Sequence, residues 1–412
     1  MTCELVFVGT ELLLGDILNT NAQYLSKQLA AIGVNVLHQT VVGDNPDRLR
    51  RVLETAFSRA DLVLTTGGLG PTKDDLTKEV CAAFFGKPLV LHDESLQRMK
   101  AYFSEKGVEM PQTNEKQAWM PAGCVIFENR NGTAPGCAME QNGKRLVLLP
   151  GPPREMKAMY ETGVLPYLRP LTNAVIFSRE IRTFGIGESA MAQKVSDLLD
   201  SENPTVAPYA KEGEAMLRVT AKAATKEAAE QLLQPVIDEI LSRLGGVVYG
   251  VDVPNLETAV VSLLKEKKMT VATAESCTAG LIAKRLTDVP GASDVFGCGI
   301  VSYQNAIKEK LLGVDPAVLA AQTAVCEDVA KQMAAGALRQ SGADLAVSIT
   351  GLAGPSKDEL GRDPGLAYLA LTDGKQTVTR TVHTGQTGPG CRSYNRTVFS
   401  SHVLDMIRRF LA

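Results

Sequence analysis

At 412 residues the chain is too long for one core, and two or three domains are expected. A hydrophobic content of 45% and a charged content of 22% are those of an ordinary globular protein. The formal net charge of −3 gives no electrostatic reason to expect a nucleic acid or an anionic membrane as the main partner.

The opening MTCELVFVGT carries Glu4 and no basic segment, so it reads as a first strand and not a signal peptide. No stretch runs apolar for the length of a bilayer span, and a soluble, cytoplasmic protein is expected. The eight cysteines contain no C-x-x-C pair and predict reduced thiols. The four histidines, none at metal-like spacing, leave few candidates for a histidine-based hydrolytic triad. A hydrolase built on this chain needs another base.

Residues 3–9 predict a buried strand, and 20–32 a helix with Thr20 as cap and Gly33 as terminator. VNVLHQTVV is the next strand, and Asn45-Pro46 opens the following helix. Strands alternating with helices predict a mostly parallel sheet covered on both faces, with ligands at the carboxyl ends of the strands. Two acidic, glycine-bearing turns fall at those ends, GTELLLGD (Gly9 to Asp16) and TTGGLGPTKDD (Thr65 to Asp75). The backbone of Gly67, Gly68, Leu69 and Gly70 can approach a phosphate closely. Glu11, Asp44 and Asp75 are candidates to hold a hydrated Mg²⁺ or similar divalent metal.

These turns, with NGTAPG (candidates Asn131 and Thr133) and LPGPPREM (candidates Pro150 and Gly151), resemble the domain that opens the CinA (competence/damage-inducible protein A) family. The resemblance implies a molybdopterin-binding-like three-layer α/β/α domain over residues 1–170. It also implies a metal-dependent ADP-ribose pyrophosphatase activity.

Residues 171–252 predict a small α+β connector. VIFSREIRTF is a strand, GIGESAMAQKVSDLLD a helix, and PTVAPYAK and EAMLRVTAKA are a hairpin around Glu212-Gly213. A long helix containing Pro235 and a short strand VVYG complete a β-α-β-β-α-β order that resembles a KH module. No GXXG loop joins consecutive helices, and residues 174–246 hold 8 Lys+Arg against 11 Asp+Glu, a net of −3. Nucleic-acid binding is therefore disfavoured, and a spacer or dimerisation role is expected.

In the last stretch, 253–412, VATAESCTAG (Val271 to Gly280) turns from a β-prone run into hydroxyl residues followed by helical spacing. Ser276 is placed at a helix N-terminus, where a serine is either a cap or a nucleophile beside free N–H groups. Cys277 is the alternative nucleophile. Tyr303 and Lys308 follow the strand before them across a turn and can converge on one hydroxyl, with a desolvated lysine serving as base. Thr278 and Gly280 lie in the serine turn. The turn Thr350-Gly351-Leu352-Ala353-Gly354-Pro355 ends an apolar strand and offers N–H groups to a monophosphate. Arg392 and Arg396 are four apart near the start of the last helix, which suggests an anionic partner.

TAESCTAG, GCGIVSYQNAIKEKLLGV, VSITGLAGP and GCRSYNR resemble the signature stretches of the CinA C-terminal domain. The resemblance implies an α/β domain with a cofactor-free nicotinamide mononucleotide deamidase activity, an amide hydrolysis giving nicotinate mononucleotide and ammonia. Three stretches depart from the family pattern: Thr323-Ala324-Val325-Cys326, the loop SKDELGRDPG, and Gly390-Cys391-Arg392. The whole chain thus reads as a two-site hydrolase of pyridine nucleotides, with a homodimer as the default assembly. The alternative is a non-catalytic nucleotide- or molybdopterin-binding protein, or an accessory of competence and DNA repair.

Overall fold

Side chains along the first strand alternate between two hydrophobic clusters, and this alternation sets the layers. The computed structural model describes residues 1–172, 174–211 and 213–412, so Glu212 of the expected hairpin turn lies outside the described residues. In β1 (Thr2–Val8), Cys3, Leu5 and Phe7 join one buried cluster while Val6 and Val8 join another. Two apolar faces must both be covered, and helices cover them. The remaining strands are β2 (Asn35–Val42), β3 (Leu62–Thr66), β4 (Leu89–Leu91), β5 (Trp119–Pro121), β6 (Val125–Phe127), β7 (Gly136–Gln141) and β8 (Lys144–Leu149). Their main sheet runs β2-β1-β3-β8-β7-β6, parallel through β8 and antiparallel beyond it, and β4 and β5 form a separate ribbon. Asn45 and Pro46 open their helix as expected, but the helix Thr20–Ala31 is capped by Asn19 and not by Thr20. Asn19 accepts from the Ala22 N–H, the third residue on, which is the reach an asparagine cap provides.

The chain divides into two compact units, 1–177 with 220–232 and 178–219 with 233–412. The connector strands β9 (Val175–Thr183), β10 (Thr205–Lys211), β11 (Glu214–Ala223) and β12 (Val248–Val251) form a sheet ordered β10-β11-β9-β12. The expected single helix between β9 and β10 is two short ones, Glu188–Lys194 and Ser196–Leu199. The last sheet contains β13 (Val271–Glu275), β14 (Phe296–Val301), β15 (Leu345–Gly351), β16 (Leu366–Thr372) and β17 (Thr377–His383). Its order is β14-β13-β15-β16-β17, with β13 parallel to both neighbours and the last three strands antiparallel.

Within the second unit, the C-terminal helix Cys391–Leu411 carries a buried charge hub. Asp405 pairs with Arg380, Arg408 and Arg409, and Arg408 also donates to the carbonyls of Val248 and Gly246 at 3.1 and 2.8 Å. Burial by itself raises the Asp405 pKa, but hydrogen bonds from Arg408 and Arg380 outweigh it and hold the carboxyl below its usual range. A folded pKa below the unfolded one stabilises above the unfolded pKa, and that stability is lost as pH falls through the folded pKa. Asp405→Asn should therefore lower stability at neutral pH by about 3 kcal/mol. The deficit should shrink as denaturation curves are repeated at progressively more acidic pH.

Candidate functional site

Three parallel strand ends converge on Ser276. The Ser276 N–H donates to the Ile349 carbonyl at 3.0 Å, and the Glu275 carbonyl accepts from the Ser302 N–H at 2.9 Å. The turn after β13 is thus held between β15 and the residue following β14. The helix begins only at Leu281, so Ser276 does not stand at its N-terminus as expected. Buried Glu275 explains the offset. Its two carboxylate oxygens accept from the N–H groups of Ile282 and Ala283 at 3.1 and 2.8 Å, which takes the helix's free donors. The N–H groups of Cys277 and Thr278 donate to no carbonyl or other side chain among the described residues. Those, and not the helix end, are the donors free for an oxyanion.

Lys308 is buried, and its Nζ donates to the carbonyls of Ser302 and Tyr303 at 2.8 and 3.2 Å. Burial lowers its pKa, the direction a lysine base needs. The Tyr303 side chain is 55% exposed, and its hydroxyl accepts from Arg392 Nη2 at 2.8 Å. Lys308 is thus bonded to the Tyr303 backbone, while the Tyr303 hydroxyl turns to Arg392 and not to the lysine. Burial pushes the Cys277 thiol up to about 12, opposite to the lowered pKa that favours a nucleophilic thiolate.

The other expected contacts close the same site. Arg392 Nη1 donates to the Gly354 carbonyl at 2.8 Å, and Arg396 Nη2 to the Thr278 carbonyl at 2.6 Å. Both arginines are thus engaged with loops of the site, where an anionic partner had been expected. Thr350 Oγ1 donates to the Ala324 carbonyl, and Gly351 stays in the ladder opposite Ala367. Ala353 offers its carbonyl to Asn395, a fully buried residue that the sequence reading missed. Gly280 takes a φ of 88°, which turns the chain into the helix. The hydroxyl of Thr278 is buried without a partner, as is that of Ser302, a second residue the sequence reading missed.

In the first unit, a cleft of about 600 Å³ opens at the carboxyl ends of β1, β3 and β8. Glu11, Asp44, Gly67, Gly68, Gly70, Asp75, Thr133, Pro150 and Gly151 line it. Gly67 and Gly68 have φ of 100° and 68°, and a Cβ on either would lie 2.0 Å from Val8 O or Thr77 Oγ1. Only glycine fits there. Asn131 is not among the lining residues; its side chain donates to the Arg154 carbonyl and steadies the neighbouring turn. The loop is braced from below, because Gln117 donates to the Leu69 carbonyl and buried Lys78 donates to the Lys116 carbonyl. Burial brings the Lys78 pKa down to about 8.

The expected metal set is not assembled in this cleft. Asp44 accepts from the N–H and hydroxyl of Thr10, and Asp75 accepts from the same two groups of Thr72. Among the described residues no three His, Cys, Asp or Glu side chains gather around a position for a metal ion. Glu155, which also lines the cleft, accepts from Asn129 at 2.7 Å and was not anticipated.

Replacing Glu275 tests whether the serine turn depends on its carboxylate. Glu275→Ala should cost about 2 kcal/mol by leaving two helix donors without their charged acceptor. Glu275→Gln, which keeps one acceptor oxygen, should lose less; urea denaturation of the two variants checks the order.

Residues 4–170 match the probable molybdopterin binding domain family, 178–250 the KH domain of damage-inducible protein CinA, and 254–411 the CinA C-terminal domain. A CinA-like protein of Kosmotoga olearia is 48% identical over 412 residues, covering 100% of this chain and 99% of the relative. A putative competence-damage inducible protein of Alkaliphilus oremlandii is 45% identical over 410 residues, 99% of this chain and 98% of its own. The crystal structure of the protein CinA with unknown function from Thermoplasma acidophilum is 34% identical, covers 39% of this chain and 95% of its own, and superposes with a TM-score of 0.37. No helix among the described residues is long and apolar enough to cross a membrane. With relatives this similar along its whole length, the chain belongs to the CinA family of competence/damage-inducible proteins.

Proposed function

We propose that the second unit hydrolyses the carboxamide of nicotinamide mononucleotide, with Ser276 as nucleophile and Lys308 as base. The observation that carries this reading is a buried lysine of lowered pKa, held on the carbonyls of Ser302 and Tyr303 beside the serine turn. Ser276 Oγ attacks the amide carbon and gives its proton to the neutral Lys308 amine. The tetrahedral oxyanion is met by the free N–H groups of Cys277 and Thr278. Lys308 then returns the proton to the departing nitrogen, ammonia leaves, and water hydrolyses the Ser276 ester to nicotinate mononucleotide. Arg392, fixed between Gly354 and Tyr303, places positive charge at the rim for the nucleotide's phosphate.

For the first unit we propose a nucleotide diphosphate ligand such as ADP-ribose, with its phosphates at the Gly67–Gly70 backbone. A divalent cation there would be held by one or two of the cleft carboxylates together with phosphate oxygens and water, and would neutralise diphosphate charge. The protein's own part is to present the glycine backbone, with Gln117 and Lys78 keeping that loop in place.

Purified protein should release ammonia from nicotinamide mononucleotide, and Ser276→Ala should abolish release. Lys308→Arg, which cannot act as a neutral base, should slow it by ~1,000-fold. In the wild type, the rate should rise with pH through the lowered Lys308 pKa, since only the neutral amine accepts the proton. Release that survives in Ser276→Ala would remove the serine from the reaction. In the first unit, Gly68→Ala should weaken ADP-ribose binding, measured calorimetrically with Mg²⁺ present, by about tenfold or more. Unchanged affinity would place the phosphates elsewhere.

A further inference from the structure

The residue that follows β14, as Ser276 follows β13, is itself a serine. β13 and β14 pair Ala272 with Cys298, Ala274 with Ile300 and finally Glu275 with Val301, and the Ser302 N–H donates to the Glu275 carbonyl to complete that last pair. Ser276 and Ser302 are the residues that directly follow that last pair. Ala272 and Ala274 belong to the buried hydrophobic cluster that contains Leu312, at the end of the turn that Lys308 opens, and the half-buried Cys298 and Ile300 pack against it. Alternation along both strands places Ser276 and Ser302 on that same face.

Ser302 is fully buried, and its hydroxyl has no hydrogen-bond partner, while its carbonyl receives Lys308 Nζ at 2.8 Å. A buried hydroxyl without a partner is unfavourable unless something in the working site satisfies it. Alanine at 302 would keep both backbone bonds and remove only the orphaned group. The hydroxyl is thus not needed to hold the loop.

We propose that Ser302 is a proton-relay residue, passing the Ser276 proton to Lys308. This rests on the reading of Ser276 as nucleophile. When Ser276 Oγ forms its bond to the acyl carbon, its proton moves to Ser302 Oγ, and the proton of Ser302 moves to the neutral Lys308 amine. The reverse shuttle delivers one proton to the leaving nitrogen, so the relay ends as it began and no other reactant is consumed. A hydroxyl both donates and accepts, which lets rotation about one bond serve both steps.

The test separates the relay from the choice of substrate. Reaction of Ser276 with a fluorophosphonate reports its nucleophilicity without any nucleotide. Wild type should be labelled at Ser276, Ser302→Ala should be labelled at least about tenfold more slowly, and Ser302→Thr should restore the rate. In mixtures of light and heavy water the wild-type rate should follow a curve expected for two protons in motion, and Ser302→Ala a straight line. Wild type unlabelled at Ser276, Ser302→Ala reacting at the wild-type rate, Ser302→Thr failing to restore it, or the same isotope curve in both proteins would each overturn the relay. Labelling as expected without ammonia release from nicotinamide mononucleotide would overturn the substrate and leave the relay standing.

Discussion

The carboxylate of Glu275 does for the serine turn what a cap does for a helix, but from the wrong side of the turn. It lies at the end of β13, reaches across Ser276–Gly280, and binds the first free N–H groups of the helix Leu281–Thr287. Strand, turn and helix are thereby locked by one buried side chain. The helix dipole is satisfied inside the protein, and the turn's own N–H groups stay open. Without the carboxylate, the Ile282 and Ala283 N–H groups would lose their acceptor and the connection between strand and helix its lock. The chemistry proposed for Ser276 therefore depends on a group that touches no substrate.

The two units solve the problem of an open backbone differently. In the first unit, glycines bring the main chain close to its neighbours: Gly67 lies against the Val8 carbonyl and Gly68 against Thr77. In the second unit, the donors at Cys277 and Thr278 come from a turn pinned by parallel strands on each side. A close-packed glycine loop suits a flat run of phosphate oxygens, whereas a single pinned turn suits one developing negative charge. The contrast follows from the backbone.

The layers were legible in the sequence because apolar periodicity is local. Strands β1, β2, β9, β10 and β11 and the Asn45-Pro46 helix start lie where hydrophobic alternation and turn residues place them. The cleft residues of the first unit were legible for a similar reason, since glycines and carboxylates at strand ends carry their own signal. What was not legible depends on partners far apart in the chain. Nothing near Asp44 announces that Thr10, on another turn, will donate to its carboxylate. Arg392 and Arg396 look alike as two basic residues one turn apart, yet one reaches Gly354 and Tyr303 and the other reaches Thr278. Ser302 carried a signal that could have been used. Counting strand positions back from it reaches the register of Ser276 once the β13–β14 pairing is known.

Three stretches at the rim of the site, 323–326, the loop SKDELGRDPG and Gly390-Cys391-Arg392, are tied down by side-chain bonds. Arg362, within SKDELGRDPG, pairs with Asp358 and donates to the Val325 carbonyl and the Thr323 hydroxyl at 2.7 and 2.9 Å. Thr323 has a φ of 65°, a conformation a non-glycine residue holds only when its surroundings enforce it. The loop therefore supplies the anchor that the Thr323 turn needs. Cys391 in turn sends its thiol to the Ala353 carbonyl, and a Cβ on Gly354 would lie 2.5 Å from its sulfur. These contacts lie on the Thr350–Pro355 side of the site, while Ser276 and Glu275 are held at the ends of β13 and β15 and Lys308 by the carbonyls that follow β14.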